Sequence, residues 1–113
     1  AADLGAVADA VLGEAGVQAL VCANDELALG LIRQLRKRGV RVPDDVAVTG
    51  WDDVMAARYT DLTTVRQPAR EVGRVAAQRL HELIIRESVQ IDEVVVPSEV
   101  VLRSSCGCPE PDA

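Results

Sequence analysis

No apolar run in this sequence is long enough to cross a bilayer, and no basic-then-apolar segment opens it. Those two absences exclude a membrane-spanning helix and an export signal in these residues, so a soluble, cytoplasmic protein is expected, with no membrane partner. Positive charge is also scarce. Twelve Lys and Arg stand against eighteen Asp and Glu, a net charge of −6, which argues against a direct grip on a nucleic-acid backbone. A Gly-rich phosphate loop, a nucleophile elbow and a paired-cysteine redox motif are all missing. Cysteine is limited to Cys22, Cys106 and Cys108, an odd count without framework spacing that fits a reducing compartment. Cys106-Gly107-Cys108 supplies too few ligands for zinc, and the only histidine, His81, falls off its helix's apolar stripe, as a solvated residue would. No metal or cofactor is expected. The chain also lacks an initiator methionine and begins inside a helix-like pattern, which points to a fragment or a processed product.

What is present is an alternating α/β text. Leu4, Val7, Ala8, Val11, Leu12 and Ala15 recur at 3-4 spacing with Gly16 behind them, predicting an amphipathic helix over 3–15. "VQALVC" reads as a short buried strand. Asn24 then caps a helix whose stripe is Leu27, Ala28, Leu31, Ile32 and Leu35, with Arg33, Arg36, Lys37 and Arg38 where the helix dipole favours cations and Gly39 as its stop. "VAVTG" is the next strand. Strand, helix, strand in this order predicts a parallel pair joined by a crossover. Both strands are followed by polar clusters, "AND" (Ala23 to Asp25) and "WDD" (Trp51 to Asp53). In an open parallel sheet the crevice beyond the carboxyl ends of the strands is where ligands bind, so both clusters fall on one rim. Further on, "LTTVRQP" is a β-branched run stopped by Pro68, which suits the first turn of a helix marked by Val72, Val75, Ala76, Leu80, Leu83 and Ile84. "EVVVP" and "EVVLR" are two strand candidates, and "SSCGCPEPDA" is a breaker-rich tail.

"ALVCANDELALGLIRQLRKRGVRVPDDVAVTGWDD", "LTTVRQP", the "VGRVAAQRL" helix and the closing "VLRSSCGC" resemble, in that order, the C-terminal part of the effector-binding core of LacI/GalR-family transcriptional repressors. The resemblance covers nearly the whole chain. It implies an α/β fold: part of a type I periplasmic-binding-protein core with a parallel, doubly wound sheet. It implies effector binding, with a sugar or related polyol in a cleft, and homodimerisation. Operator DNA would be held only through a helix-turn-helix headpiece that these residues do not include. Residues 1–67 would belong to the C-terminal subdomain, 68–97 would be a crossover helix and strand normally given to the N-terminal subdomain, and 98–113 a returning strand and tail. The sequence departs from the family between Asp53 and Leu62, where it is shorter and lacks the Pro pair that normally precedes "LTT".

Each candidate has two readings. Asp52 either satisfies a strand-to-loop turn or pairs with neighbouring hydroxyls of a polyol. Trp51 is either core filler or a flat face for a sugar, and Asn24 either a helix cap or an amide for the effector. Gln67 and Arg66 lie where the family's chain crosses between subdomains, to touch ligand or to hold the crossover. Asp53 reads as a cap on the "VMAAR" segment, and Asp25 as a first-turn carboxylate facing the helix dipole. The expected effector set is Asn24, Trp51, Asp52 and Gln67. The expected dimer set is Leu29, Arg33, Met55 and Tyr59. Two other classes compete: a sugar-binding domain with no DNA function, and a receiver-like phosphoryl-transfer domain. The latter would want a further Asp at another strand end and a nearby Lys, and Lys37 stands late in a helix, so no enzyme is expected.

Overall fold

A computed structural model describes residues 3–86, 90 and 92–109; the ends of the expected tail (110–113) and four residues of the expected crossover segment (87–89 and 91) lie outside the described residues. The chain divides into two compact units, Ala1–Arg66 with Val100–Ala113, and Gln67–Glu99.

In the first unit, α1 (Leu4–Gly13) starts where the Asp3 carboxylate accepts the Ala6 N–H at 3.1 Å. It stops two residues earlier than its apolar spacing predicts. Glu14 is already extended at ψ 128, donating its N–H to Val11 O, and Gly16 turns the chain at φ +81. Only Ala8 of the α1 stripe is fully buried, while Val7, Leu12 and Ala15 are exposed. β1 (Ala19–Val21) and β2 (Ala47–Thr49) pair in parallel, with Ala19 opposite Ala47 and Val21 opposite Thr49. β1 is not the buried strand expected, since Val21 is 88% exposed. Among the described residues β2 is its one strand neighbour, so part of its surface has nothing to pack on.

Between them runs α2 (Asp25–Lys37), capped by Asn24 Oδ1, which accepts the Leu27 N–H at 2.8 Å. Acidic Asp25 and Glu26 fill its first turn and Arg36 and Lys37 its last, complementing the dipole at both ends. Gly39 follows with φ +76, the left-handed exit that glycine adopts without a Cβ penalty. The predicted stripe is the core: Ala28, Leu31, Ile32 and Leu35 are buried with Val46, Val48, Ala57 and Leu62. Each Leu, Ile or Val sunk there contributes roughly 1.5–3 kcal/mol. Arg38 fastens α1 to α2, its guanidinium reaching Asp9 at 2.7 Å and Gly5 O at 3.1 Å. After β2 come α3 (Met55–Tyr59) and β3 (Thr64–Arg66), with a parallel bridge from Thr49 to Thr63 that carries the sheet onward. β3 pairs with β4 (Glu99–Val101).

In the second unit, α4 (Ala69–Ile85) follows Pro68, which takes the N-cap position one residue before the first helical one. None of its residues is buried, and Val72, Leu80, Leu83 and Ile84 of the expected stripe are exposed. Val72, Val75 and Ala76 share a cavity of about 270 Å³ with Val94 and Val96. "EVVVP" (Glu93–Pro97) forms no strand. A β-branched run becomes a strand only beside an edge to pair with, and among the described residues none is paired to it. His81 is exposed on α4, as its position off the stripe predicts.

Candidate functional site

The parallel register puts the ends of β1 and β2 side by side, so the chain leaves both strands on one rim. Beyond Val21, the Cys22 N–H donates to Thr49 O at 2.9 Å; beyond Thr49, the Gly50 N–H donates to Thr63 O at 3.0 Å. The two polar clusters then bond to each other. The Asp25 N–H donates to Trp51 O at 2.9 Å, which brings the residue next to Asn24 against the backbone of Trp51. The side chain of Asp25 completes the link. Its Oδ1 accepts the Thr64 hydroxyl at 2.6 Å and its Oδ2 the Val54 N–H at 2.9 Å, and the residue is wholly buried.

That position explains Gly50. A Cβ there would overlap Asp25 Oδ1 and sit 3.1 Å from both Asp25 Cα and Leu62 Cδ2, so only hydrogen fits between strand and buried carboxylate. Asp25 is therefore more than the first-turn carboxylate its place in the sequence suggests. Its partner Thr64 stands 39 residues away, and no local pattern announces the pairing.

The adjacent carboxylates of "WDD" have different fates. Asp52 is exposed and takes φ +117, with its N–H held by Val65 O at 2.9 Å. Asp53 takes φ +56 and turns inward to complete side-chain burial. It does not cap α3: the N-cap is Val54, which makes no side-chain bond. Instead Asp53 is an ion-pair centre, taking Arg66 Nε at 2.7 Å, an Arg103 guanidinium nitrogen at 2.8 Å and Arg58 Nε at 3.5 Å. Burial alone would raise its carboxyl, but the hydrogen bonds from Arg66 and Arg103 outweigh it and hold the group below the usual carboxylate range. Arg66, a candidate for ligand contact, is thus committed to Asp53. Both Asp25 and Asp53 have structural partners, and Lys37 stands in the last turn of α2.

Of the expected effector set, Asn24, Trp51 and Asp52 share this rim. Asn24 is half-buried and spends its Oδ1 on the cap, leaving its amide NH₂ without a partner among the described residues. Trp51 is 42% exposed rather than core filler. Gln67 opens the second unit and is exposed. Of the expected dimer set, Met55 and Tyr59 are 71% and 81% exposed, and four residues apart they share a face of α3. Arg33 is exposed, and half-buried Leu29 packs against the core. Leu29 and Arg33 line a cavity of about 550 Å³ with Ile32, Arg36, Val42 and Ser104, and none of the rim residues borders it. Among the described residues no three His, Cys, Asp or Glu side chains gather as metal ligands, and no helix is long and apolar enough to cross a membrane.

The profile of the periplasmic binding protein-like domain matches residues 2–106. The chain belongs to that family. Its place in the family is the effector-binding domain of LacI/GalR-type regulators. The arabinose metabolism transcriptional repressor of Geobacillus stearothermophilus is 41% identical over 90 residues, which are 77% of this chain and 25% of the repressor. A LacI-family regulator from Enterococcus faecium, solved with bound ribose, superposes with a TM-score of 0.79 at 30% identity over 90% of this chain and 38% of that one. The lac repressor dimer bound to operator superposes with a TM-score of 0.76 at 31% identity over 90% of this chain and 36% of that one. The chain therefore spans little more than a quarter of the curated relatives it matches. The fold class read from the sequence, part of a periplasmic-binding-protein-like α/β core, is correct.

Proposed function

We propose that this chain is the effector-binding and dimerisation part of a cytoplasmic DNA-binding transcriptional repressor, and that its effector is a sugar or related polyol. The observation that carries the reading is the rim: Asn24, Trp51 and Asp52 stand together past the carboxyl ends of β1 and β2, locked by Asp25 and Asp53 beneath them. Asp52 accepts two neighbouring hydroxyls, the Asn24 amide donates to a third, and the Trp51 face covers the C–H side of the ring. Ribose in one structural neighbour and arabinose metabolism in one relative support a carbohydrate. The site binds and does no chemistry. Operator contact belongs to a headpiece of the whole protein. A second copy packs through Leu29, Arg33, Met55 and Tyr59. Residues 68–97 serve the other subdomain of the whole regulator, which would cover the open stripe of α4.

A thermal-shift screen of mono- and disaccharides on the full-length regulator identifies the ligand. Calorimetry with it should then show Asp52→Ala binding more weakly by about 1.5–3 kcal/mol, the worth of a charge-assisted hydrogen bond. An unchanged affinity would remove Asp52 from the site.

A further inference from the structure

The thiols of Cys106 and Cys108 take no part in the rim, yet the fold brings them together. A 3-10 turn (Ser104–Cys106) ends in Gly107 at φ +71, and this left-handed residue folds Cys108 back over Cys106. The Cys108 N–H donates to Cys106 Sγ at 3.3 Å, and the Cys106 thiol donates to Arg103 O at 3.4 Å. Both thiols are free and half-buried, within reach of a small reagent. Burial pushes the Cys106 thiol up, but contacts with Cys108 and Thr63 override it and hold the group below its ordinary value, while the contact with Cys106 raises Cys108. One sulfur is thereby favoured as the nucleophile and the other as a proton donor.

The turn beneath them is rigidly placed. Ser105 Oγ donates to Val48 O at 2.6 Å and accepts the Thr63 N–H at 2.8 Å, and Arg103 exchanges two bonds with the Thr63 hydroxyl at 2.9 and 3.0 Å. A disulfide needs its two Cα atoms within about 4.4–6.8 Å of each other, and the left-handed turn at Gly107, with the Cys108 N–H on Cys106 Sγ at 3.3 Å, holds the two residues close.

We propose that Cys106 and Cys108 are a reversible intrachain disulfide site, oxidised by low-molecular-weight disulfides. The Cys106 thiolate attacks one sulfur of the oxidant, forming a mixed disulfide and expelling the other sulfur as a thiolate. Cys108, losing its proton, attacks Cys106 Sγ, closes the Cys106–Cys108 bond and expels the second thiolate. The two thiol protons end on the two expelled thiolates. The chain loses two electrons and the oxidant gains them, leaving as two thiols. The closed bond removes the S–H that Cys106 donates to Arg103 O, on the residue that also holds Asp53.

The test is incubation of the reduced chain in glutathione buffers of rising oxidised fraction, followed by acid quench, alkylation, tryptic digestion and mass spectrometry. Trypsin cuts after Arg103 and leaves both thiols on one peptide. That peptide should lose both alkylation sites together, lighten by two hydrogens and regain them with dithiothreitol, while Cys22 stays alkylated throughout. In Cys108→Ser the reaction should stop at a glutathione adduct on Cys106. Full alkylation of all three thiols across the series would overturn the proposal, as would a bond that joins two chains or involves Cys22. The wild-type measurement decides alone if the variant does not fold.

Discussion

Replacing Asp53 by Asn keeps the shape of the side chain and removes its charge. In the native chain that carboxylate is fully buried and accepts from Arg66 at 2.7 Å and from Arg103 at 2.8 Å, with Arg58 at 3.5 Å. An amide can still accept from one guanidinium, but its NH₂ end must then face another. Removing one partner of a buried pair costs about 3–5 kcal/mol where the remaining charge stays dry. Here the side chains of Arg66 and Arg58 are 43% and 59% exposed and can rehydrate, whereas that of Arg103 is only 15% exposed and also holds Leu62 O at 2.9 Å. Discounting the exposed pairs leaves a loss of about 2–4 kcal/mol, carried mostly by Arg103. Urea unfolding should show the midpoint falling at constant slope. Asp52→Asn, one residue away and exposed, should cost less than Asp53→Asn. If Asp53→Asn is as mild as Asp52→Asn, the assignment of Asp53 as the structural member of the pair is refuted.

Acid should act through the same group. A carboxyl whose folded pKa is depressed takes up its proton at higher pH in the unfolded chain than in the folded one. Its contribution to stability is therefore complete above the ordinary carboxylate range and lost as pH falls through that range and below it. Asp53→Asn should flatten that part of the stability–pH curve, and a mutant curve parallel to the parent's would count against it. Gly50→Ala should cost about 1–3 kcal/mol by overpacking against Asp25 and Leu62, read as a Tm lower by roughly 4–8 °C per kcal/mol in a domain of this size; an unaltered Tm would mean that the strand shifts freely there. For association, Met55→Ser with Tyr59→Ser in the full-length protein should turn a dimer into a monomer by light scattering, and a dimer that persists would place the interface elsewhere.

Local signals carried the parts of this fold that are local. The α2 stripe, its Asn24 cap and its Gly39 exit were legible because each depends on residues within one or two turns. The strand ends at "AND" and "WDD" were legible because a hydrophobic run that stops at a polar cluster marks where a parallel strand meets solvent. What failed depended on distant partners. "EVVVP" has the composition of a strand but pairs with no edge among the described residues, and the apolar letters of β1 alone predict a buried strand, although Val21 is 88% exposed. Asp53 was expected to cap the helix beside it, whereas its partner Arg103 lies 50 residues away.

The rim itself turns on a distinction that residue type does not make. Asp52 and Asp53 are chemically identical neighbours, and what separates them is backbone: two consecutive residues at positive φ, +117 and +56, that leave one carboxylate in solvent and seal the other inside. Such conformations cost of order 1–3 kcal/mol each for residues with a Cβ. They persist because bonds to each residue in turn over-determine them, from Asp52 N–H to Val65 O, from Asp53 to Arg66 and Arg103, and from Val54 N–H to Asp25. A plain turn at the end of β2 would need none of this. Under the function proposed above, the buried network would hold Trp51 and Asp52 in one fixed pose, with Asp25, Gly50 and Asp53 as the frame of the proposed site and Asp52 as its proposed hydroxyl acceptor.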